Sequence, residues 1–311
     1  MSKLVERDQA PDSRPLSAAP ALAVQFFLIP LAVVAMVVVV YGGFRMLLTT
    51  ERTPEEYLQD VQSGGRERRW PAAYELSRLM SEPDVESRHP TLGASIVSAF
   101  RSSEGDDPRV RRYLALAVGR LGNPPVDAVD ALVDGLADPD PETTISVIWA
   151  LAALEDPSVR DEIRDVYRSD DPGVRKMAVY ALGALPGDGD LSVLRGALDD
   201  DEVDVQWNAA LALARQGVDD GKTVLARMLD REYVARTVTR VPAVDAALDP
   251  VSEVIVSSLQ AIGTLRATDL RERVATLSRD DENLRVREFA MRTLDVLAAP
   301  APESDTAMRH R

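Results

Sequence analysis

The sequence contains no cysteine. This excludes disulfides, thiolate metal sites and a cysteine nucleophile. Histidine is almost as scarce, with only His89 and His310. His89 precedes Pro90 in an expected inter-helix loop, and His310 lies in the C-terminal tail. Neither has a second histidine near it in sequence, so an imidazole-based metal site is not expected, and no cofactor is. Aromatic residues make up 5% of the chain against 45% hydrophobic residues. The core is therefore filled by Ala, Val and Leu, the composition of closely stacked helices. Lysine occurs only as Lys3, Lys176 and Lys222, and arginine supplies nearly all the positive charge. Even so, 51 acidic against 36 basic residues leave a formal net charge of −15. A surface of that sign repels phosphates, so nucleic acid is not expected as a partner.

What is present begins with 24 residues that carry no charge, Ala21 to Phe44. At 1.5 Å per residue a helix of that length reaches about 36 Å, enough to cross a hydrocarbon layer of ~30 Å with some tilt. The run is too long for the apolar part of a cleaved leader, and no A-x-A-like site follows it. The sequence thus predicts a short polar N-terminal tail over residues 1–20, then a transmembrane helix over 21–44. Lys3, Arg7 and Arg14 on one flank are offset by Glu6, Asp8 and Asp12. The other flank carries Arg45, Arg52, Arg66, Arg68 and Arg69, which predicts that the following domain faces the cytoplasm.

The rest of the chain repeats. DPRVRRYLALAVGRLG runs from Asp107 to Gly122, DPGVRKMAVYALGALP from Asp171 to Pro186, and DENLRVREFAMRTLDVL from Asp281 to Leu297. Each places apolar or small residues at offsets 0, 4, 8 and 11, which share one face of a helix. The anchors read Val110, Thr143, Val174, Val205, Val254 and Val286, spaced by 33, 31, 31, 49 and 32 residues. A weaker early copy lies at Arg68–Met80. Between the anchored helices lie second amphipathic stretches, such as Val126–Asp138 and Val159–Ser169. The unit is helix, turn, helix, and about seven such pairs fit between Pro54 and Leu297. Asp107, Asp140 and Asp171 each precede a proline, the pairing expected of an N-cap followed by the first helical residue.

The period and the D-P-x-V-R…A…L…L pattern resemble the HEAT family, in particular the short bacterial HEAT-like repeats also found in phycobilisome lyases. The resemblance implies an all-α chain: a right-handed α-α superhelix over residues 54–298 behind the membrane helix, with an insertion near 231–249 and a disordered tail over 299–311. With the apolar run before it, the sequence predicts a bacterial inner-membrane protein that displays a binding surface beside the bilayer, to which only a few residues, Thr49–Thr53, connect the repeats. The expected function is that of a non-enzymatic scaffold or adaptor for a protein partner, such as a membrane complex. The alternative implied by the lyase resemblance is a protein that handles a chromophore or cofactor.

Several motifs invite sharper readings. Asp219–Thr223 (DDGKT) approximates a phosphate-binding loop, but Gln216 stands where the first glycine is required, and two carboxylates would repel phosphate. A turn and helix start is the better reading. Asp199, Asp200, Asp201, Glu202 and Asp204 lack the glycine and terminal glutamate of a calcium loop and read as caps and solvated charge. Offsets 2 and 6 from the anchors point away from the core face. They carry Ile145, Trp149, Lys176, Tyr180, Trp207 and Leu211, the candidate partner-binding stripe, against the plainer reading that these side chains are buried between repeats. Arg231, Arg236 and Arg240 make the insertion locally basic and form a secondary candidate.

Overall fold

In the computed structural model, residues 29–48, 52–187, 189, 191–238 and 249–300 are described. The chain divides into two units, residues 1–53 and 54–311.

Among the described residues of the first unit, the helix α1 (Ile29–Leu48, 20 residues) covers the later part of the charge-free run. Residues 21–28 of that run lie outside the described residues. The side chains described on α1 run from Pro30 to Gly42 and are all exposed. Among the described residues, no helix is long and apolar enough to cross a membrane. The expected span is therefore not found there.

The second unit is helical throughout its described residues, with no strand among them. Its elements are α2 (Pro54–Ser63), α3 (Arg66–Leu79), the short α4 (Val85–Arg88), α5 (Leu92–Ser102), α6 (Pro108–Val118), α7 (Ala128–Gly135), α8 (Pro141–Ala153) and α9 (Arg160–Val166). Then come α10 (Pro172–Ala184), α11 (Ser192–Gly196), α12 (Val203–Arg215), α13 (Lys222–Met228), α14 (Arg231–Thr237), α15 (Pro250–Leu265), α16 (Arg271–Asp280) and α17 (Leu284–Ala298). The second helices α3, α6, α8, α10, α12, α15 and α17 pack each against the next in one continuous layer. Seven two-helix units result. Residues 239–248 and 301–311, which include Arg240 and most of the expected tail, lie outside the described residues.

Local chemistry starts the helices where the sequence predicts. The Asp107, Asp140 and Asp171 carboxylates accept from the backbone N–H groups of Arg109, Thr143 and Val174 at 3.0, 2.9 and 3.0 Å. Each such cap contributes typically ~1 kcal/mol. The anchor frame holds in the middle repeats, where Val110, Thr143, Val174 and Val205 are all buried. It slips at the insertion. The helix after it is capped by Asp249, so the anchor is Ser252 and not Val254. The spacings there are 47 and 34 residues rather than 49 and 32. A serine can occupy this buried position because its hydroxyl bonds the Asp249 carboxylate and accepts from Arg231 Nη2.

Small residues set the helix separation. A Cβ added at Gly183 would lie 2.4 Å from Ala212 Cβ and 2.8 Å from its Cα, and one at Gly119 would lie 2.6 Å from Ala150 Cα. The obstacle is backbone on the neighbouring second helix, which cannot rotate away. Gly183→Ala should therefore destabilise the domain by about 1–3 kcal/mol, although alanine gains up to ~1 kcal/mol in helix propensity. A lowered urea midpoint checks this; an unchanged or raised midpoint would mean that the helices separate without cost.

Candidate functional site

Along the second-helix layer, the side chains that face away from the core gather aromatic rings. Trp149, Lys176, Met177, Tyr180, Asp204, Trp207, Asn208, Val238, Pro250 and Val254 surround a hollow of about 380 Å³. Helices α8, α10, α12 and α15 supply it, together with the chain just after α14. Lys176 Nζ lies 3.6 Å from Asp204 across one rim.

The candidate stripe divides here. Trp149, Lys176 and Tyr180 line the hollow, Trp149 and Lys176 being half-buried and Tyr180 exposed. Trp207 lines it too but is 5% exposed, so it belongs to the core rather than the surface. Tyr233 of the inserted helix α14 meets it edge-on at 6.3 Å, and Val238 stands beside it. The Trp207 indole N–H is buried and has no acceptor among the described residues. Ile145 does not line the hollow; its Cδ1 would lie 3.0 Å from a Cβ placed on Gly173. Leu211 lines a neighbouring concavity of about 300 Å³.

The secondary candidate separates as well. Arg231 turns into the fold, where it bonds both oxygens of the nearly buried Asp281 at 3.0 and 2.7 Å. It also donates to Ser252 Oγ and approaches Asp249 and Glu282 at 3.5 and 3.2 Å. It holds the insertion to the last repeat and is not available as a surface cation. Arg236 is exposed.

Three further aromatics share this layer and were missed in the sequence. Counting from Arg68 in the early copy, Trp70 and Tyr74 fall at offsets 2 and 6, and Tyr113 follows Val110 by three. Tyr74 and Tyr113 meet edge-to-face at 5.2 Å. Arginines lie over these rings: Arg109 over Trp70, Arg120 over Trp149 and Arg215 over Tyr180, at 5.0, 5.6 and 5.3 Å. Each such stack contributes ~0.5–1 kcal/mol at an exposed site.

Other concavities are less suited to a ligand. The one at Phe100, Arg111, Asp134 and Asp138, about 470 Å³, has its cation already committed. Arg111 bonds Asp138 at 2.5 Å and the Phe100 carbonyl at 3.3 Å. Among the described residues no group of three His, Cys, Asp or Glu is placed to hold a metal. His89 Nδ1 lies 2.6 Å from Glu55. Lys222 of the DDGKT segment pairs with Asp219 and Asp269 at 2.9 and 3.6 Å, and Gly221 abuts Ala210. In the acidic cluster, Asp200 accepts from Arg175 at 2.9 and 3.0 Å and from Tyr167 at 2.9 Å. These motifs are thus occupied by intramolecular pairs.

The same pairs set a pH dependence. The Arg175 guanidinium holds Asp200 below its ordinary 3.8, and bonds from the Glu202 N–H and Tyr167 add to this. At Asp140 and Asp249 burial pushes upward, but bonds from Thr143 and Arg112, and from Ser252, the Val251 N–H and Arg231, outweigh it. Tyr167 is pushed up to about 12 by burial and by its bond to Asp200. Stability from the carboxylates is complete above 3.8 and is lost as pH falls through their lowered native values. That from Tyr167 is complete below 10 and is lost as pH rises through about 12. The urea midpoint should therefore be level between about pH 5 and 9 and fall on both sides. Asp200→Asn should flatten the acid limb; a midpoint that rises on acidification would contradict the assignment.

Comparison with known proteins gives the repeats a family. Residues 96–183, 129–214 and 168–241 match HEAT repeats. No curated protein matches the chain. Among solved structures, the complex of CpcE and CpcF of phycocyanin lyase from Nostoc sp. PCC7120 is 18% identical, with a TM-score of 0.51 over 79% of this chain and 95% of that one. A designed armadillo repeat protein in complex with the peptide (KR)4 is 16% identical, with a TM-score of 0.40 over 79% and 100%. At these identities the likeness is one of fold. Residues 96–241 match HEAT repeats, and the same two-helix packing continues before and after them, so the described repeats form an all-α solenoid of the HEAT type.

Proposed function

We propose that this chain is a membrane-anchored scaffold that binds another protein on its second-helix face, and that it works by binding rather than by catalysis. The observation that carries the reading is the aromatic hollow at Trp149, Met177, Tyr180 and Trp207. Binding energy at protein interfaces concentrates on Trp, Tyr and Arg in such pockets, and here all three are adjacent. In support of the anchor, Ala21–Phe44 carries no charge. On α1, exposed side chains include Leu31, Val33, Val34 and Val37–Val40. A continuous apolar surface of that kind is stable in lipid and costly in water. In this reading the repeats lie on the cytoplasmic side of a bacterial inner membrane, a sidedness that the flanking arginines favour.

The test is recovery of the full chain from detergent-extracted membranes with its partner. A stoichiometric protein complex is expected. Tyr180→Ala and Trp149→Ala should each weaken it by about 30-fold, the effect of a ~2 kcal/mol hot spot, with helical content unchanged. Binding that survives both changes ends the proposal for this face. Release of the chain by a salt or alkaline wash ends the anchor. A pigment or cofactor that copurifies in place of a protein would replace this reading with the chromophore-handling one. Protease accessibility in spheroplasts decides the side.

A further inference from the structure

Many arginines of this carboxylate-rich chain are paired: Arg69, Arg111, Arg112, Arg175, Arg195, Arg231 and Arg285 each meet an Asp or Glu. Arg215, at the end of α12, does not. Among the described residues no carboxylate pairs with it, and its guanidinium rests over the Tyr180 ring. Its side chain keeps contact with solvent, yet the head is crowded, and desolvation lowers its hold on the proton. Arg120 also lacks a carboxylate, but its Nη1 is taken by the Ser77 carbonyl at 2.6 Å. Arg215 is thus an exposed cation, partly crowded by its neighbours, with no carboxylate partner among the described residues, where one carboxylate could bond its guanidinium.

Its surroundings form a site. Leu211, Ala214, Arg215, Ser257, Gln260 and Thr264 line the concavity of about 300 Å³ between α12 and α15. Gln260 is exposed there and offers amide donors beside the guanidinium. Tyr180 links this concavity to the aromatic hollow, since its ring lines the one and carries the cation of the other.

We infer that the second-helix face takes an extended segment of the partner protein, which seats an apolar or aromatic side chain in the Trp149–Tyr180–Trp207 hollow and, a few residues along, an Asp or Glu side chain on Arg215. This rests on the binding face proposed above. The net charge of −15 is no obstacle to one carboxylate. The general field is screened over ~8 Å at physiological salt, while the guanidinium acts at contact distance. The field does select against runs of acid, so the segment carries a single carboxylate among neutral and apolar residues.

Selection of phage-displayed random decapeptides on the detergent-solubilised full chain tests this. Enriched peptides should carry an apolar or aromatic residue within about three positions of an Asp or Glu, since an extended chain advances ~3.3 Å per residue. Synthetic versions, acetylated and amidated so that only side-chain carboxylates remain, should lose at least tenfold in affinity when Glu becomes Gln. They should lose as much on Arg215→Gln and less on Arg215→Lys. Peptides that need Trp149 and Tyr180 but are indifferent to acid or to Arg215→Gln overturn the carboxylate inference and leave the binding face standing. Peptides indifferent to Trp149→Ala and Tyr180→Ala overturn both. Enrichment of basic peptides, or of none, overturns the inference, as would self-association lost in Trp149→Ala, which would make a second copy of this chain the occupant.

Discussion

Arg111→Met should lower the stability of the repeat domain by about 3–5 kcal/mol, the cost of leaving one member of a buried ion pair unpaired. Arg111 and Asp138 are both almost fully buried, with 8% and 7% of their side chains exposed. The guanidinium bonds Asp138 and the Phe100 carbonyl and lies over the Phe100 ring at 4.8 Å. Methionine keeps much of the volume but leaves the Asp138 carboxylate buried without its cation. The double change Arg111→Met with Asp138→Leu removes both charges and should recover most of the loss, because replacing a buried pair by apolar groups of similar volume is often neutral or stabilising. Urea unfolding of the parent, the two single variants and the double variant closes the cycle. A double variant no more stable than Arg111→Met would show that the pair contributes geometry that apolar packing cannot replace.

This pair recurs along the domain, which explains what was and was not legible in the sequence. The arginine one residue after the anchor is visible as a pattern in four repeats, and in three of them, at Arg69, Arg111 and Arg175, it meets a carboxylate. Their partners Asp106, Asp138 and Asp200 lie 37, 27 and 25 residues on, before the next anchored helix. Nothing local pairs them, so the acidic cluster at Asp200 read as solvated charge although Asp200 is the counter-ion of Arg175. The same distance hid Arg231, whose carboxylate is 50 residues away at Asp281. The Asp-Pro caps and the offset-4 core were legible because both are local: a cap reaches two or three residues, and a helix face repeats within one element. The anchor at Ser252 was not legible because a serine fits a buried position only through bonds to Asp249 and Arg231, which the sequence does not place beside it. Periodicity alone places Trp149, Tyr180 and Trp207 on the second-helix face, but it does not give the burial of Trp207, which Tyr233 of the inserted helix covers.

Trp207 yields the second large effect. Trp207→Ala should destabilise the domain by about 3–5 kcal/mol, as for other large-to-small core changes of this kind. The ring belongs to the hydrophobic cluster that joins α12 to α14, α15 and the last unit, and Ala210 and Ala214 on the same helix leave no bulk to fill its place. Trp207→Phe should behave differently. The indole N–H is buried without an acceptor among the described residues, a condition that costs ~1–3 kcal/mol. Phenylalanine removes that donor, keeps an aromatic edge toward Tyr233, and leaves only the volume difference as a deficit. The two terms are similar in size and opposite in sign, so the variant should stay within about 1 kcal/mol of the parent. Urea midpoints of both variants check this. If Trp207→Phe costs as much as Trp207→Ala, the indole N–H is not an unsatisfied donor in the folded protein.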